Sequence, residues 1–519
     1  MAQSTRETER KYEVPASADE SWLSKLDRVD GVAAVVDRDL QELDAVYYDT
    51  DDLRLSRSSA TLRRRTGGAD AGWHLKLPLS GDTREEIRSP LTDTVPDDLL
   101  ALALSRTRGA ALAPVVRIRS TREVRHLVDA DGTVRAELSV DTVRADSLRD
   151  GGASAAWNEL EVELAEDADP ALLDAVDKKL RKKGVARAQS PSKLARALDE
   201  TGAGSTQAAP HEESGGSGGS GGPAPDRAGA QVLAYAREQV RVLTALDPAV
   251  RRDLPDAVHG MRVACRRLRS CLRSYRSVLD REAIDPVRGE LKWLAGELGA
   301  ERDHEVLHER LGGEIDALPQ ELVLGPVAAR LRVWDVTGSA ASHRRTLEAL
   351  GSPRYLALLD SLAALLERPP LAADAGRRAD KVMAKAVRKE YGRLAGRMTK
   401  ALELPPGPER DVALHEARKE AKKVRYATEV ARPALGKPAK ELGKRVKAVQ
   451  KVLGDHQDSV VARTVLRDLA VTAQTAGEAG FTWGLLYGVE QARAEARERE
   501  LPSVWEFASE PGPRERIGR

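Results

Sequence analysis

Cysteine and aromatic residues are scarce in this chain of 519 residues. The two cysteines are Cys265 and Cys271, and aromatic side chains make up 3% of the sequence. Six residues apart on one helix, the two thiols would diverge too far to form a disulfide, which indicates small core residues in a reducing compartment. Stacking on nucleic-acid bases normally uses aromatic side chains, so the composition disfavours a protein that reads bases.

Long apolar runs and an excess of charge of one sign are also absent. No stretch approaches the ~18–20 uninterrupted apolar residues of a membrane span, and the charged start MAQSTRETERKYEV lacks the apolar segment of a signal peptide. Lys and Arg together number 83, against 82 Asp and Glu, so any anion site must arise by segregating charge. We expect a cytoplasmic protein without membrane contact.

A glycine- and serine-rich stretch divides the chain into two parts. Residues 201–227 contain GGSGGSGG and lack apolar periodicity, which is typical of a flexible linker. Before it, alternating runs such as GWHLKLPL and NELEVELAE indicate antiparallel strands with a few helices. After it, almost every segment has helical periodicity. We therefore predict an α+β multidomain chain, with a β domain at 1–200, an all-α domain at 228–510 and a tail at 511–519.

One face of nearly every predicted strand is charged. Because residues at i and i+2 of a strand share a face, Glu7, Glu9 and Lys11 of ETERK project together, and LRRR, RIR and ELEVEL have the same spacing. A solvated outer face explains any single strand of this kind. Closure of the sheet into a barrel would instead place the charges inside, where each must be paired or bind a ligand or metal.

The charged face carries both carboxylates and cations, which suit different parts of one ligand. Glutamates supply the hard oxygen ligands that Mg²⁺ or Mn²⁺ prefers, while arginines and lysines hold phosphate oxygens. Together they describe a site that takes a metal-chelated polyphosphate chain end-on and polarises a terminal phosphorus for attack by water. The sequence has no Walker loop and no Ser/His/Asp arrangement, which disfavours a P-loop nucleotide site and an acyl-transfer enzyme.

Residues 5–200 resemble the CYTH family, also called triphosphate tunnel metalloenzymes. ETERK fits the family's ExExK motif, and YYDTDDLRL, LRRR, LKLP, REEI, ELSVD, ELEVEL and SKLARAL follow in the family's order. The resemblance implies an eight-stranded antiparallel tunnel with a divalent metal, Mg²⁺ or Mn²⁺. It implies that the metal is held by Glu7, Glu9, Glu159 and Glu161, with Glu86 and Asp141 as further candidates. The implied triphosphate-binding residues are Lys11, Arg63, Arg65, Lys76, Arg84, Arg117, Arg119 and Lys193, and Lys11 joins the first four glutamates as a catalytic candidate.

The basic segment VVRIRSTREV fits the resemblance less cleanly. Arg117, Arg119 and Arg122 could each occupy the family's basic position, and only two of them share a face. The substrate is also open, because the family includes inorganic triphosphatases, thiamine triphosphatases and class IV adenylate cyclases. Trp73 and Trp157 lie near strands and could stack on an organic group, although a single tryptophan is more often part of a core.

A cationic stripe follows one predicted helix of the second part. HGMRVACRRLRSCLRSYR contains six arginines and no acidic residue, and Arg262, Arg266, Arg269 and Arg273 share one side at 3.6 residues per turn. Solvated helix faces usually mix signs, since like charges at i,i+4 repel, so the stripe indicates a polyanion ligand. HEARKEAKKVRY repeats the pattern from His415, which indicates a duplicated helix and two four-helix halves that share a groove.

Residues 228–510 resemble the CHAD family, a histidine-containing α-helical domain that is often fused behind CYTH. The resemblance implies binding of inorganic polyphosphate, and nucleic-acid phosphate remains an alternative polyanion. We also expect Asp303 and Asp455, which occupy similar places in the two halves, to order nearby arginines. The matching positions are His259, Arg262, Arg266, Arg269, Arg273, His415, Arg418, Lys419, Lys422 and Arg425.

Taken together, these features predict a metal-dependent inorganic triphosphatase whose helical domain holds polyphosphate, which would also allow association with polyphosphate deposits. Fusion to a second polyanion-binding domain favours inorganic over organic triphosphate. Two alternatives stay open. The protein could be a non-catalytic polyphosphate-binding scaffold, or its tunnel could act on an organic triphosphate, as a thiamine triphosphatase or an adenylate cyclase does.

Overall fold

The chain forms two compact units, Met1–Gly215 and Gly216–Arg519. The computed structural model describes residues 3–14, 26–204 and 224–517, and the side chains of all of these except 3 and 300–302. The predicted linker at 201–227 lies largely outside the described residues. No helix in the described ranges has the length and apolar character that crossing a membrane requires.

Eight antiparallel strands close into a barrel in the first unit. The sheet order is β5-β4-β3-β2-β6-β7-β8-β1, and β1 pairs with both β5 and β8, which closes the ring. A ninth, two-residue strand adds to the end of β1. The strands are β1 (Gln3–Glu13), β2 (Ala34–Asp49), β3 (Thr61–Thr66), β4 (Gly72–Pro78), β5 (Thr83–Ser89), β6 (Ala113–Val128), β7 (Val134–Ser147), β8 (Ser154–Leu164) and β9 (Ala186–Arg187). The predicted eight-stranded antiparallel barrel is confirmed.

In the described residues, four α-helices accompany the barrel: α1 (Arg54–Arg57), α2 (Asp97–Thr107), α3 (Ala171–Arg181) and α4 (Lys193–Glu200). Two of them cover the apolar outer face. Leu99 of α2 packs with Leu75 and Ile87 of the outer face, and Val176 of α3 packs with Leu160. Burying one such side chain contributes roughly 1.5–3 kcal/mol, so these helices keep the outer face dry and leave the inner face for charge.

The barrel interior changes character along its length. At one end, inward-facing Val116, Ile118 and Val143 form a buried apolar cluster with Leu194 and Leu198 of α4. The hydroxyl of Ser192 caps α4 by accepting a hydrogen bond from the Ala195 amide at 3.0 Å. This cluster fills that end, so the charged part of the interior forms a well closed by α4.

The second unit is entirely helical in its described residues, apart from short connections. Its helices are α5 (Ala228–Arg251), α6 (Ala257–Ser274), α7 (Arg281–Asp316), α8 (Val327–Gly351), α9 (Pro353–Glu367), α10 (Ala379–Glu403), α11 (Pro408–Leu435), α12 (Lys437–Thr475), α13 (Phe481–Ser509) and α14 (Pro511–Arg516). Residues 511–516, which we expected to be a tail, form α14 and pack against α12, where the Arg516 guanidinium pairs with Glu441 at 2.5 Å.

The helical unit contains two halves with the same order of helices, as the repeated motif predicts. Helices α5–α8 and α10–α13 each pack against their neighbours in sequence, and α6 contacts its counterpart α11. The Tyr275 hydroxyl donates to the Ala427 carbonyl oxygen at 2.7 Å, and Arg267 pairs with Glu429 at 3.1 Å. Both cysteines lie reduced in the apolar core between the halves.

Candidate active site in the barrel and anion groove in the helical unit

The charged part of the barrel interior encloses a cavity of about 490 Å³. Its walls come from inward-facing side chains of the strands, and Lys193 at the start of α4 contributes to its closed end. We call it the barrel cavity. The predicted residues that line it are Glu7, Glu9, Lys11, Arg63, Arg65, Lys76, Arg84, Glu86, Glu161 and Lys193.

Lys193 anchors an ion cluster at the closed end of the cavity. Its ammonium nitrogen lies 2.8 Å from Asp141, 3.0 Å from Glu159 and 2.7 Å from Glu161. Arg122 bridges Asp141 and Glu161 at 2.8 and 2.7 Å. Burial alone would lower the pKa of Lys193, but the three carboxylates raise it well above its usual value, so the ammonium stays charged.

Asp141 and Glu159 lie behind the cavity wall rather than in it. Both are almost completely buried and neither lines the cavity, although both belong to the predicted metal-ligand set. Their carboxylates hold Lys193, and Asp141 also holds Arg122. The structure therefore places them as residues that position the cations.

A second ion cluster surrounds Glu86 of β5, on the other side of β1 from β8. The Glu86 carboxylate lies 3.4 Å from Arg63, 3.6 Å from Lys76 and 2.9 Å from His74 Nδ1. Burial would raise the pKa of Glu86, but Lys76 and the other donors lower it well below its usual range. Lys76 also pairs with Glu7, which connects this wall to β1.

Four carboxylates lie close together where β1 meets β8, and one of them lacks a cation partner. Glu163 lines the cavity and has no ion-pair partner among the described residues. Burial and the negative charge of Glu7 raise its pKa to about 7, and burial also raises the pKa of Glu7. Glu9 and Glu161 line the same region. A group of carboxylates that includes one without a cation partner suits a divalent cation, so Glu7, Glu9, Glu161 and Glu163 fit a site for such an ion.

Glu163 is a site residue that the candidate set from the sequence left out. The signal was present, because the third glutamate of ELEVEL follows Glu161 by two positions and shares its face.

Two predicted triphosphate-binding residues, Arg117 and Arg119, lie outside the barrel, which corrects their placement. Their side chains are 44% and 49% exposed and pair with Asp44 and Asp146 on the outer surface. Arg122 faces the cavity instead. The physical reason is that Val116 and Ile118, which alternate with the two outer arginines, point inward against α4. On this part of β6 the inner face is apolar and the outer face is charged.

Both tryptophans that could have stacked on an organic group are part of cores. Trp73 is fully buried on the outer face of the barrel, and its indole nitrogen donates to the Thr92 carbonyl oxygen at 3.0 Å. Trp157 is buried against α4, with the Arg196 guanidinium 4.8 Å from its ring centre. Neither tryptophan lines the cavity; Tyr47 does, and it is buried in the same cluster as Trp157.

The cationic stripes of α6 and α11 meet in the helical unit. Burial, Arg418 on the same helix, and Arg266 and Arg262 on α6 lower the pKa of Lys422 to about 7. We call the groove between these four side chains the helical groove. Neither Arg266 nor Lys422 has a carboxylate within ion-pair distance in the described part of the unit. The predicted meeting of the two stripes is therefore present.

Matched carboxylates hold one arginine in each half. Arg262 pairs with Asp303 at 2.6 Å, and Arg418 pairs with Asp458 at 3.4 Å. The arginines also lie against Gly299 and Gly454, each four residues before its aspartate. The expected partner in the second half, Asp455, instead approaches Arg497 at 3.9 Å. Matching the two halves by their Leu-Gly pairs, rather than by their Asp-His pairs, gives the correct correspondence.

The other predicted positions of the helical unit are more dispersed. His259 is exposed on α6, and His415 is half-buried on α11, where burial and Lys419 lower its pKa. Lys419 and Arg425 pair with Glu416 and Glu429 of their own helix. The remaining two positions, Arg269 and Arg273, continue the α6 stripe away from the helical groove.

Asp411, His456 and Glu498 form a compact group between α11, α12 and α13. His456 Nε2 lies 3.3 Å from each carboxylate. Arg463 and Arg410 pair with the same carboxylates at 3.3 and 3.0 Å. Since two guanidinium groups already balance the two carboxylates, we interpret the group as an ion network that joins the three helices rather than as a metal centre.

Comparisons with known proteins agree with both units. The sequence model of the CYTH domain matches residues 5–198, and that of the CHAD domain matches residues 234–467. An uncharacterized protein of Mycobacterium tuberculosis is 40% identical over 96% of this chain and 95% of its own length. Two strains of that species carry such a relative.

Solved structures include similar helical and barrel proteins. PptA from Streptomyces chartreusis is 23% identical, with a TM-score of 0.46, over 54% of this chain and 99% of its own. The CHAD domain from the plant Ricinus communis is 25% identical, with a TM-score of 0.43, over 54% of this chain and 91% of its own. The putative adenylyl cyclase HpAC1 from Hippeastrum, described as having a dominant triphosphatase activity, is 17% identical, with a TM-score of 0.25, over 38% and 97%.

Proposed function

Because the chain belongs to the proteins that join a CYTH domain to a CHAD domain, we propose that its barrel hydrolyses inorganic triphosphate to diphosphate and phosphate with Mg²⁺ or Mn²⁺, while its helical unit binds polyphosphate. CYTH domains generally bind triphosphates and use divalent metals. The observation that carries the proposal is a cavity inside the barrel whose walls hold carboxylates and cations side by side.

The two sets of charges divide the work of holding the substrate. Lys11, Arg63, Lys76 and Arg122 present ammonium and guanidinium groups to the cavity and would hold the phosphate oxygens. The carboxylates of Glu7, Glu9, Glu161 and Glu163 would hold the divalent cation, which supplies Lewis acidity toward the phosphoryl group. Asp141 and Glu159 keep Lys193 and Arg122 in place, so the donors need little rearrangement during the reaction.

Metal and triphosphate should bind together, because the cavity is internally paired. Lys11 contacts Glu161 and lies 3.3 Å from Glu9, and Lys76 contacts Glu7. A triphosphate alone would draw the lysines away and leave carboxylates unpaired, whereas a metal alone would leave lysines unpaired. Adding both replaces each internal pair with a pair to a ligand, which avoids the cost of an uncompensated buried charge.

The lining favours inorganic over organic triphosphate. Recognition of a base or a thiazole normally uses an aromatic or apolar surface. In the described lining, Tyr47 is the only phenylalanine, tyrosine or tryptophan, and its hydroxyl lies 3.4 Å from Arg63 while its ring packs against the α4 cluster. No stacking surface remains at the closed end, and the rest of the lining is dominated by charge.

The helical unit suits a polyanion without catalysis. Arg262, Arg266, Arg418 and Lys422 converge from two helices, and the carboxylates near them, Asp303 and Asp458, are held by two of these arginines. Burial, together with the uncompensated positive charge of Arg418, Arg266 and Arg262, lowers the pKa of Lys422, and a polyphosphate chain would compensate this charge.

The test is phosphate release by the full chain from triphosphate, ATP and thiamine triphosphate, each with and without Mg²⁺ or Mn²⁺. We expect strong metal-dependent turnover of inorganic triphosphate alone. The variant Glu86→Gln should lower turnover by at least about 100-fold, since it leaves Arg63 and Lys76 without their shared carboxylate.

A matched control lies one residue away, because Glu85 points to the outer face and accepts a hydrogen bond from the Ser4 hydroxyl at 2.8 Å. Glu85→Gln should retain turnover. Equal losses in the two variants would contradict an active site inside the barrel. No turnover of any substrate would favour the scaffold alternative, and turnover of an organic triphosphate alone would favour an organic substrate.

A further inference from the structure

We propose that a second groove, between the end of α6 and α10, continues the helical groove and binds the distal part of a long polyphosphate chain. This inference rests on the proposed function of the helical unit and extends it to a preference for long chains. We call this surface the α6–α10 groove; it consists of a cavity of about 200 Å³ beside a shallower depression of about 470 Å³, and Arg273 lines both.

Helix α10 supplies one wall of the groove with cations at regular spacing. Lys385, Lys389, Arg393 and Arg397 follow one another at four-residue intervals, so they share one side of the helix, and Lys400 continues the row. Like charges at i,i+4 repel, which makes such a row unfavourable unless an anion compensates it.

Few carboxylates offset these cations. In the described residues, Lys385, Lys389 and Arg397 have no carboxylate within ion-pair distance. The two acidic residues of the groove are already engaged, since Glu390 accepts from Arg393 at 3.0 Å and Glu420 pairs with Lys423 at 2.5 Å. The surface is therefore cationic in excess.

Two glycines give an independent reason to expect a ligand against α10. Gly392 and Gly396 lie one turn apart in the middle of the helix and line the depression. A Cβ at either position would meet no atom within 4 Å, so packing does not require glycine. Glycine is the least favourable residue after proline inside a helix. Because glycine has no side chain, an extended anion can approach the helix backbone here, between the flanking cations.

Arg269 and Arg273 connect the two grooves along α6. Burial, Arg288 and Arg273 lower the pKa of Arg269, so cations crowd this stretch as well. From Arg262 to Arg276 the helix and its end span about 21 Å, at about 1.5 Å per residue. A tripolyphosphate occupies one part of such a track, whereas a long chain can occupy both grooves and gain affinity from simultaneous contacts.

The experiment compares binding of tripolyphosphate and of long-chain polyphosphate to the full chain by calorimetry at fixed ionic strength. The variant replaces Lys385, Lys389 and Arg397 by Gln, which keeps helix propensity. We expect the variant's affinity for long chains to fall by at least about tenfold and its affinity for tripolyphosphate by less than about twofold. The slope of log affinity for long chains against log salt concentration should become shallower by about two, since each phosphate contact contributes ~0.7 in single-stranded nucleic acid.

The matched control removes the same charge from an exposed face of α12 by Lys440→Gln, Lys444→Gln and Lys447→Gln, positions that line neither groove. Equal losses in control and variant, or no loss of long-chain affinity in the variant, would overturn the proposal. If the wild-type chain binds no polyphosphate, the proposed function of the helical unit is itself contradicted. Displacement of long-chain polyphosphate by duplex DNA of equal total charge would contradict the proposal that the ligand is polyphosphate.

The glycines provide a second test with effects of opposite sign. Gly392→Ala with Gly396→Ala should raise the thermal midpoint, since alanine favours the helix and meets no neighbour, yet weaken long-chain binding by several-fold. A purely structural role for the glycines predicts that stability and binding change together. A rise in stability with unchanged long-chain affinity would remove the glycines from the site.

Discussion

The two units handle charge in opposite ways. In the barrel cavity, Lys193, Lys11 and Arg122 each contact a carboxylate, and acid and base lie within one enclosed space. In the helical unit, Arg266 and Lys422 face other cations with no carboxylate partner in the described residues. A paired cavity takes ligands of both signs and can combine a metal with a phosphate, whereas an unpaired groove takes a polyanion alone. The barrel cavity therefore suits catalysis, whereas the helical groove suits binding of a polyanion without catalysis.

Removing the divalent metal should produce the largest difference between the two units. With EDTA in excess, we expect triphosphate hydrolysis to stop, because the carboxylates of the cavity then stay paired with its lysines. Binding of long-chain polyphosphate should persist, since the described carboxylates beside the helical groove, Asp303 and Asp458, are already held by arginines. Phosphate release and calorimetric binding measured on one preparation would check both. Loss of polyphosphate binding in EDTA would contradict the distinction.

Removing the buried ammonium group of Lys193 should destabilise the barrel far more than removing an exposed ammonium group from its surface. Lys193→Met would leave three buried carboxylates without their shared ammonium, and breaking a buried ion pair in this way costs about 3–5 kcal/mol. Differential scanning calorimetry of the full chain would show the shift in the transition of the barrel unit. Lys178→Met on the exposed face of α3 serves as the control, and we expect it to change stability by less than about 0.5 kcal/mol.

Strand β6 carries arginines on both its inner and its outer face, so the same substitution can be compared at the two positions. Arg122→Gln should raise the KM for triphosphate by about 10- to 150-fold, which corresponds to about 1.5–3 kcal/mol for hydrogen bonds to a charged group. Arg119→Gln should leave the KM within about twofold, because this side chain pairs with Asp146 on the outer surface. Steady-state kinetics would decide. A large effect of the Arg119 substitution would restore its predicted role.

Protonation of Lys422 should give the helical groove its own pH dependence. Its pKa of about 7 lies below the unfolded value, so between about pH 7 and ~10.4 the unfolded and anion-bound states hold more protons than the free folded state. In that window, stability should rise with pH while polyphosphate affinity falls, by up to about tenfold per unit. Arg418, Arg266, Arg262 and Asp458 are the charged groups that face Lys422. Lys422→Met should flatten both profiles, measured by calorimetry; an unchanged slope would assign the effect to another group.

The barrel and its lining were largely predictable because strand alternation places i and i+2 on one face. This rule brings Glu7, Glu9 and Lys11 into the cavity. It failed for Arg117 and Arg119, since the inner face of β6 changes from charged to apolar where α4 enters. The packing of a helix against the inside of a barrel depends on tertiary structure, which local periodicity does not report.

In the helical unit, the repeat predicted the meeting of α6 and α11 but not its detailed correspondence. Asp455 matches Asp303 in local sequence, yet Asp458 holds the equivalent arginine, because the close approach of each arginine to Gly299 or Gly454 sets the alignment. The row of cations on α10 escaped notice for a related reason. Glu390 lies beside the row in the sequence, and only its pairing with Arg393 in the structure shows that it leaves Lys385, Lys389 and Arg397 uncompensated.

The closure of one end of the barrel by α4 determines how material can move through it. Leu194 and Leu198 fill the interior beside Val116 and Ile118, so the cavity is a cul-de-sac rather than a passage. In the proposed reaction, a phosphate chain would insert its terminus without threading through, and both products would leave by the opening through which the substrate entered. We expect diphosphate, which keeps two of the phosphates that the cavity holds, to compete with the next triphosphate, so that turnover slows as product accumulates.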